Sequence, residues 1–317
     1  MPNGTIKDIE EGYKYLGIMR SNINHVAEGP DLINNMLGIL LRLRKEPIDI
    51  ACDVEKMFHN FYVNKEIRDF LRFLWFGKDG AIKDYCMKVH LFGATSSPAV
   101  ATYSLQKLAD QHREETSAAS EFIKRNFYVD DGITSVSTTA EAIELITEAR
   151  NLCKKGNLSL HKFVSNKIEG LRELPDTERA VQDVDLYSDN LPAQRTLGIE
   201  WSVNKDVLRF TNSGIQQKPS TRRGILSTVS QLYDPLGFLA PYTLVGKKIL
   251  QKVNKSGTDW DKPFAKDVQE PWKKWVQELD MLDTIKIPRC IKPTGFETVK
   301  RSELHHFCDG SIDGIGA

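Results

Sequence analysis

Apolar residues recur at helical spacing after Asp31, where Ile33, Met36, Leu37, Leu40 and Leu41 fall on one side of a helix that Asp31 can cap and Pro47 ends. The period then changes. Ile48-Asp49-Ile50-Ala51-Cys52-Asp53-Val54 alternates and then runs apolar, which predicts a short strand carrying an acid at its close. Ser97-Pro98 opens a second helix through Ala99, Tyr103, Leu105 and Leu108, with Pro98 suited to the first turn. Phe127-Tyr128-Val129 and Ile133-Thr134-Ser135-Val136 are β-prone runs around Asp130-Asp131-Gly132. Asp-Gly between such runs predicts a hairpin with the acidic pair at its tip. Thr138 or Thr139 starts a helix with Ala142, Ile143, Ile146 and Ala149 on one side. Gly156 closes it, and Leu158-Ser159-Leu160 begins another strand.

Strand, helix, hairpin, helix and strand in that order predict an α+β chain: a split βαβ, ferredoxin-like sheet with helices on one face. Residues 169–190 are acid-rich and read as a surface excursion. Leu197-Gly198-Ile199-Glu200-Trp201 followed by Val207-Leu208-Arg209-Phe210 predicts a further hairpin. Beyond Pro219 the pattern turns helical, broken by Asp234-Pro235-Leu236-Gly237 and by Ala240-Pro241. Trp260, Trp272 and Trp275 lie in a segment expected to form a separate small unit. Residues 1–25 carry no core pattern.

Composition narrows this picture only a little. The chain has 317 residues, with 43 Lys and Arg against 43 Asp and Glu. A zero sum neither supports nor excludes nucleic acid, because a local stripe matters more than the total. Lys218, Arg222, Arg223, Lys247, Lys248 and Lys252 could form such a stripe, or a solvated helical face. The five cysteines are odd in number and form no C-x-x-C pair, which argues against a disulfide framework or structural zinc. Met1 is followed by polar residues and not by a secretory signal, and the apolar run Met36–Leu41 is too short to span a bilayer. A soluble intracellular, cytoplasmic protein with no membrane partner is the expectation.

Three carboxylates carry the candidate chemistry. In a split βαβ sheet the hairpin lies beside the first strand, so Asp53 can converge with Asp130 and Asp131. Hard divalent cations such as Mg²⁺ or Mn²⁺ take oxygen ligands. Two such ions about 3.5–4 Å apart can activate an attacking hydroxyl and stabilise a leaving oxygen. On the tetrapeptide alone, Asp131-Gly132 is simply a good turn with Asp130 solvated beside it.

Other motifs in order change those odds. Gly29-Pro30-Asp31-Leu32, Asp53-Val54-Glu55-Lys56-Met57-Phe58-His59, Leu71-Arg72-Phe73-Leu74-Trp75 and Val89-His90-Leu91-Phe92-Gly93-Ala94-Thr95-Ser96-Ser97-Pro98 come first. Tyr128-Val129-Asp130-Asp131, Leu197-Gly198-Ile199 and Tyr233-Asp234-Pro235-Leu236-Gly237-Phe238-Leu239-Ala240-Pro241 follow. Together they resemble the reverse transcriptase of LTR retrotransposons, most closely the BEL/Pao group. The resemblance implies a right-hand polymerase palm with partial fingers over 26–210, a helical thumb over 211–258, a connection-like region over 259–300 and the start of a ribonuclease H-like domain over 301–317. Residues 1–25 are left as a leader, foreign to the family.

The resemblance also assigns roles. Asp53, Asp130 and Asp131 become the catalytic aspartates, holding two Mg²⁺ or Mn²⁺ with the Val54 carbonyl in the metal shell. Phe58 lies under the incoming sugar, and Phe92 and Gly93 touch nucleotide and template. Lys162, with Lys167 as its rival, protonates the departing pyrophosphate. Tyr128, Leu197 and Gly198 position the primer end, and Asp309 is a remnant ribonuclease H ligand. Implied partners are an RNA or DNA template with its primer and deoxynucleoside triphosphates, within a retrotransposon particle.

Two departures temper this. Nothing before Gly29 matches the basic fingers strand that holds a triphosphate, and only the first strand of the nuclease is expected at the C-terminal end. Truncation at both ends would weaken activity, leaving an inactive nucleic-acid-binding remnant as the alternative. An aspartic peptidase is the weaker one. Such enzymes pair aspartates in Asp-Thr-Gly or Asp-Ser-Gly turns, and Asp309-Gly310-Ser311 has the wrong order.

Overall fold

The computed structural model describes the chain from Gly29 onward, apart from residues 173, 180–192, 197–198, 211–217, 258, 294, 297–298, 302, 304, 306, 312–314 and 317. In chain order, α1 (Met36–Leu43) leads into β1 (Ile48–Val54) and the hairpin β2 (Arg72–Phe76) and β3 (Ile82–Cys86). Helices α2 (Ser97–Gln111) and α3 (Ser117–Asn126), strands β4 (Phe127–Tyr128) and β5 (Asp131–Val136), helix α4 (Thr139–Lys155) and β6 (Leu160–Val164) follow. Then come β7 (Ala193–Thr196), β8 (Ile199–Ser202), β9 (Val207–Arg209), α5 (Arg222–Ser230), α6 (Ala240–Lys255) and α7 (Lys266–Gln277). Strands β10 (Lys286–Pro288), β11 (Asp309–Gly310) and β12 (Ile315–Gly316) end the described chain. The strand–helix–hairpin–helix–strand order read from the sequence is present.

The chain divides into two compact units. Among the described residues, the first gathers 29–33 with Val54–Lys124 and Glu148–Leu160; the second gathers Asn34–Asp53, Arg125–Thr147 and the described residues from His161 on. In the first, α2 buries Ala101, Leu105, Leu108 and Ala109 at helical spacing, and its Pro98 sits in the opening turn as expected. Strands β2 and β3 form their own ladder, braced by Phe73 stacked on Tyr85 at 5.7 Å.

In the second unit, one sheet has the order β4–β5–β1–β6, which puts β1 between the hairpin and β6. Helix α1 starts later than Asp31. Asn35 is its cap, accepting from the Gly38 amide at 3.0 Å, while Asp31 only closes a turn onto the Ile33 amide. Its buried Ile39, Leu40 and Leu43 pack with Ala51, Ile133 and Val164 from the sheet and with Ile199, Trp201 and Leu208 from β8 and β9. Those last two strands lie in a second sheet, β10–β9–β8–β7.

The segments set apart as 211–258 and 259–300 share a single apolar core: Ile225, Val229, Ile249 and Val253 pack with Val268, Trp272 and Trp275. Tyr242, Trp275 and Trp272 form a continuous stack, with the Tyr242 hydroxyl donating to the Trp275 carbonyl. Asp234 in the intervening loop accepts from the Phe238 and Leu239 amides, fixing the entry to α6.

The acidic hairpin differs from its Asp-Gly reading. Tyr128 pairs with Asp131 and Phe127 with Gly132, so the two-residue turn is Val129-Asp130 and Gly132 already lies in the ladder. Val129 takes φ 57°, a left-handed conformation that a β-branched residue adopts only under strain. Gly132 is there for room: a Cβ on it would stand 2.4 Å from Cζ of Phe127. Gly132→Ala is therefore expected to cost about 1–3 kcal/mol. An unchanged urea midpoint for that variant would contradict this packing argument.

Candidate active site

Strand β1 brings Asp53 to the hairpin. Its register against β5 runs from Ile48 opposite Val136 to Asp53 opposite Asp131. Like charges directly opposite on neighbouring strands are unfavourable, and Asp130 stands in the adjoining turn, just before Asp131. All three carboxylates therefore meet at one end of the sheet, each side chain half-buried.

Their electrostatics record the crowding. Burial pushes the Asp131 carboxyl up to about 6, reinforced by the charges of Asp130 and Asp53. Asp130 is raised by burial first and by Asp53 second. Lys162 opposes both shifts. Asp53 is engaged on each oxygen, by His161 Nε2 at 2.8 Å and by Lys162 Nζ at 3.0 Å. As the side chains stand, no group of three His, Cys, Asp or Glu among the described residues is poised around an ion. The donor set nevertheless fits a hard divalent cation: it is carboxylate-only, half-desolvated, and carries repulsion that such an ion would relieve.

The remaining candidates fall in different places. Val54 closes β1 with its side chain buried. Tyr128 packs against the α1 cluster. Lys167, the rival lysine, is exposed at the head of a short 3₁₀ turn, whereas Lys162 reaches the acids. Phe58, Phe92 and Gly93 belong to the first unit. There Phe58 is buried edge-on against Phe92 at 4.8 Å, so Phe92 offers the exposed ring, and Gly93 has φ 83° with open space where a Cβ would stand. Leu197 and Gly198 lie outside the described residues, and of Asp309 only the backbone, paired with Gly316, is described. Two of the residues of the expected basic stripe are ion-paired, Arg223 with Asp261 and Lys252 with Asp267, while Arg222 stacks 3.9 Å from the Trp260 ring centroid and keeps its charge.

Sequence reasoning missed His161, and it missed a buried polar cluster centred on Arg289. Arg289 is fully buried and holds Asp206 with Nε and Nη2, the latter at 2.8 Å. It also donates to the carbonyls of Leu43, Glu46 and Pro47. Asp49, fully buried on β1, lies 4.0 Å from the same guanidinium. The one sequence signal was an acid inside an apolar strand.

The family model described as the Pao retrotransposon-like RNaseH-like domain matches residues 221–317. That match begins at Thr221, far upstream of residue 301, and spans α5, α6, α7, β10 and the β11–β12 ladder. Among solved structures, the chain resembles the foamy viral protease-reverse transcriptase in complex with RNA/DNA hybrid, with a TM-score of 0.51, 15% identity, and coverage of 78% of this chain and 29% of that one. It also resembles the foamy viral protease-reverse transcriptase dRH in complex with ds DNA, with a TM-score of 0.50, 14% identity, and coverage of 78% and 38%. At these identities the likeness is one of fold: a mixed α/β chain resembling a retroviral reverse transcriptase and spanning well under half of those chains. No curated protein matches the chain. No helix among the described residues is long and apolar enough to cross a membrane.

Proposed function

We propose that the chain is a Pao/BEL-type retrotransposon reverse-transcriptase region and carries the polymerase centre of an RNA-directed DNA polymerase, a reading supported by the match of residues 221–317 to a Pao retrotransposon-like RNaseH-like domain and by the likeness of fold to the foamy viral protein. The observation that carries the reading is the register of Asp53 against Asp131, one residue from the Val129-Asp130 turn. Unrelated acids seldom meet this way, because opposed carboxylates destabilise a ladder; a cation-binding role gives the arrangement a purpose.

On this reading the sheet β4–β5–β1–β6 is the palm. Asp53, Asp130 and Asp131, with the Val54 carbonyl, hold Mg²⁺ or Mn²⁺. Bound there, the ions lower the cost of deprotonating a primer 3′-hydroxyl and offset charge on the departing pyrophosphate. Lys162, which reaches the acids, gives the pyrophosphate its proton on this reading. Tyr128, Leu197 and Gly198 position the primer end. The foamy viral relatives are described with an RNA/DNA hybrid and with ds DNA; we extend that class, as template and primer, to this chain. Such contacts fall mainly on phosphates and sugars and so are indifferent to sequence.

Primer extension tests the proposal. The chain should lengthen a primer on an RNA or DNA template with Mg²⁺ or Mn²⁺, and Asp130→Asn should not, while both bind the primer–template equally in a filter assay. Binding without extension by the wild-type chain, or extension indifferent to Asp130→Asn, would overturn it.

A further inference from the structure

Strand β6 does something a regular strand cannot. Successive side chains on a strand point to opposite faces, yet His161 and Lys162 both reach Asp53, one on each carboxylate oxygen. The break in alternation sits at Lys162, whose φ of 51° lies in the left-handed region that L residues rarely occupy. The strand continues past it, with Leu160, Phe163 and Val164 buried around the two outliers. Strain kept inside an otherwise regular strand re-aims side chains.

The two grips differ in kind. His161 and Asp53 are comparably sheltered, their side chains 21% and 24% exposed, and the contact is short. A carboxylate only accepts, so Nε2 carries the hydrogen. Lys162 approaches from solvent on a flexible stem, its side chain 55% exposed. Its charge is also felt by Asp130 and Asp131, both of whose carboxyls it draws back down.

We propose that these neighbours divide Asp53 between them: His161 is a positioning residue that fixes Oδ1 and the plane of the carboxylate, and Lys162 is a tethered, exchangeable cation on Oδ2 that a divalent ion must displace. This rests on the reading that Asp53, Asp130 and Asp131 hold such an ion. It also deepens that reading. An ammonium held on Asp53 cannot at the same time serve the pyrophosphate, so arrival of the ion frees the proton donor. Metal loading and readiness of Lys162 are then one event.

The test is Mn²⁺ titration of the full chain without nucleotide, with free ion read by electron paramagnetic resonance. Removing the competitor in Lys162→Met should tighten Mn²⁺ binding, by about threefold for a partly exposed pair. His161→Ala should weaken it by about tenfold, the usual penalty for losing a group that orients a metal ligand. His161→Gln, which keeps a donor, should recover most of that loss. The division fails if Lys162→Met binds no tighter than wild type, if His161→Ala binds equally well, or if Gln is no better than Ala. Asp131→Asn separates this from the parent reading. Undiminished Mn²⁺ binding in that variant sinks the ion site itself; loss there, with the other variants behaving as wild type, sinks only the division.

Discussion

Asp131→Asn is expected to abolish primer extension, by on the order of 10³-fold or more, as for other preorganised groups that meet charge developing in a transition state, while making the metal-free chain slightly more stable. The two effects have one cause. Ionised Asp131 faces Asp53 across the ladder and follows Asp130, and burial with those charges holds its carboxyl at about 6. A carboxyl raised above its unfolded value near 4 leaves the folded state holding the proton longer. Its cost is absent at low pH, grows as pH rises from about 4 to about 6, and is complete at neutral pH. Asn removes that cost with little change of shape. Allowing for solvent screening at this half-buried site, the gain is about 1 kcal/mol, or about 2 °C in Tm for a chain of this size. Adding Mg²⁺ or Mn²⁺ reverses the order, because an ion bound only by the folded wild-type chain stabilises it by mass action. Thermal melts at pH 7 with and without the ion, beside the extension assay, read both effects. A variant that loses stability along with activity would show that Asp131 is structural.

How much of this was legible beforehand depended on the range of the interactions. The acid closing β1 and the acidic hairpin were visible because each is a local pattern, and their meeting followed from the element order. The turn falls two residues before Asp131-Gly132, although Asp-Gly ordinarily marks a left-handed bend; here Gly132 clears space for the Phe127 ring, and Val129 takes the strained position instead. His161 was invisible for a related reason, since period-two alternation puts it and Lys162 on opposite faces. The tryptophan segment was read as separate because sequence shows each stretch's apolar content and not its partner. Trp275 buries itself against Gly246 and Val229, where a Cβ on Gly246 would come within 2.9 Å of each.

Arg289→Met is the other substitution with a large expected effect, here on stability. The guanidinium has five N–H donors, and five acceptor contacts take them: two to Asp206 and one each to the carbonyls of Leu43, Glu46 and Pro47. Met fills similar volume but removes the donors to the Leu43 and Glu46 carbonyls, leaves Pro47 only its bond from Asn166, and strips Asp49 and Asp206 of their counter-charge. Breaking a buried pair by removing one partner costs about 3–5 kcal/mol, a large share of a typical total of about 5–15 kcal/mol. Arg289→Lys keeps the charge with fewer donors and should fall between. The pH dependence gives an independent readout. Burial pushes Asp49 up to about 7 against the pull of Arg289. The folded chain therefore holds a proton that the unfolded chain loses near pH 4, and stability declines by about 1.4 kcal/mol per unit as pH rises toward 7 before levelling. Asp49→Asn should flatten that part of the slope. In Arg289→Met the opposing charge is gone, so the decline should continue above pH 7. Urea midpoints from pH 5 to 8 decide it: a variant that unfolds at the wild-type midpoint, or levels at the same pH, would mean that Arg289 does not neutralise the acid inside the strand bearing Asp53.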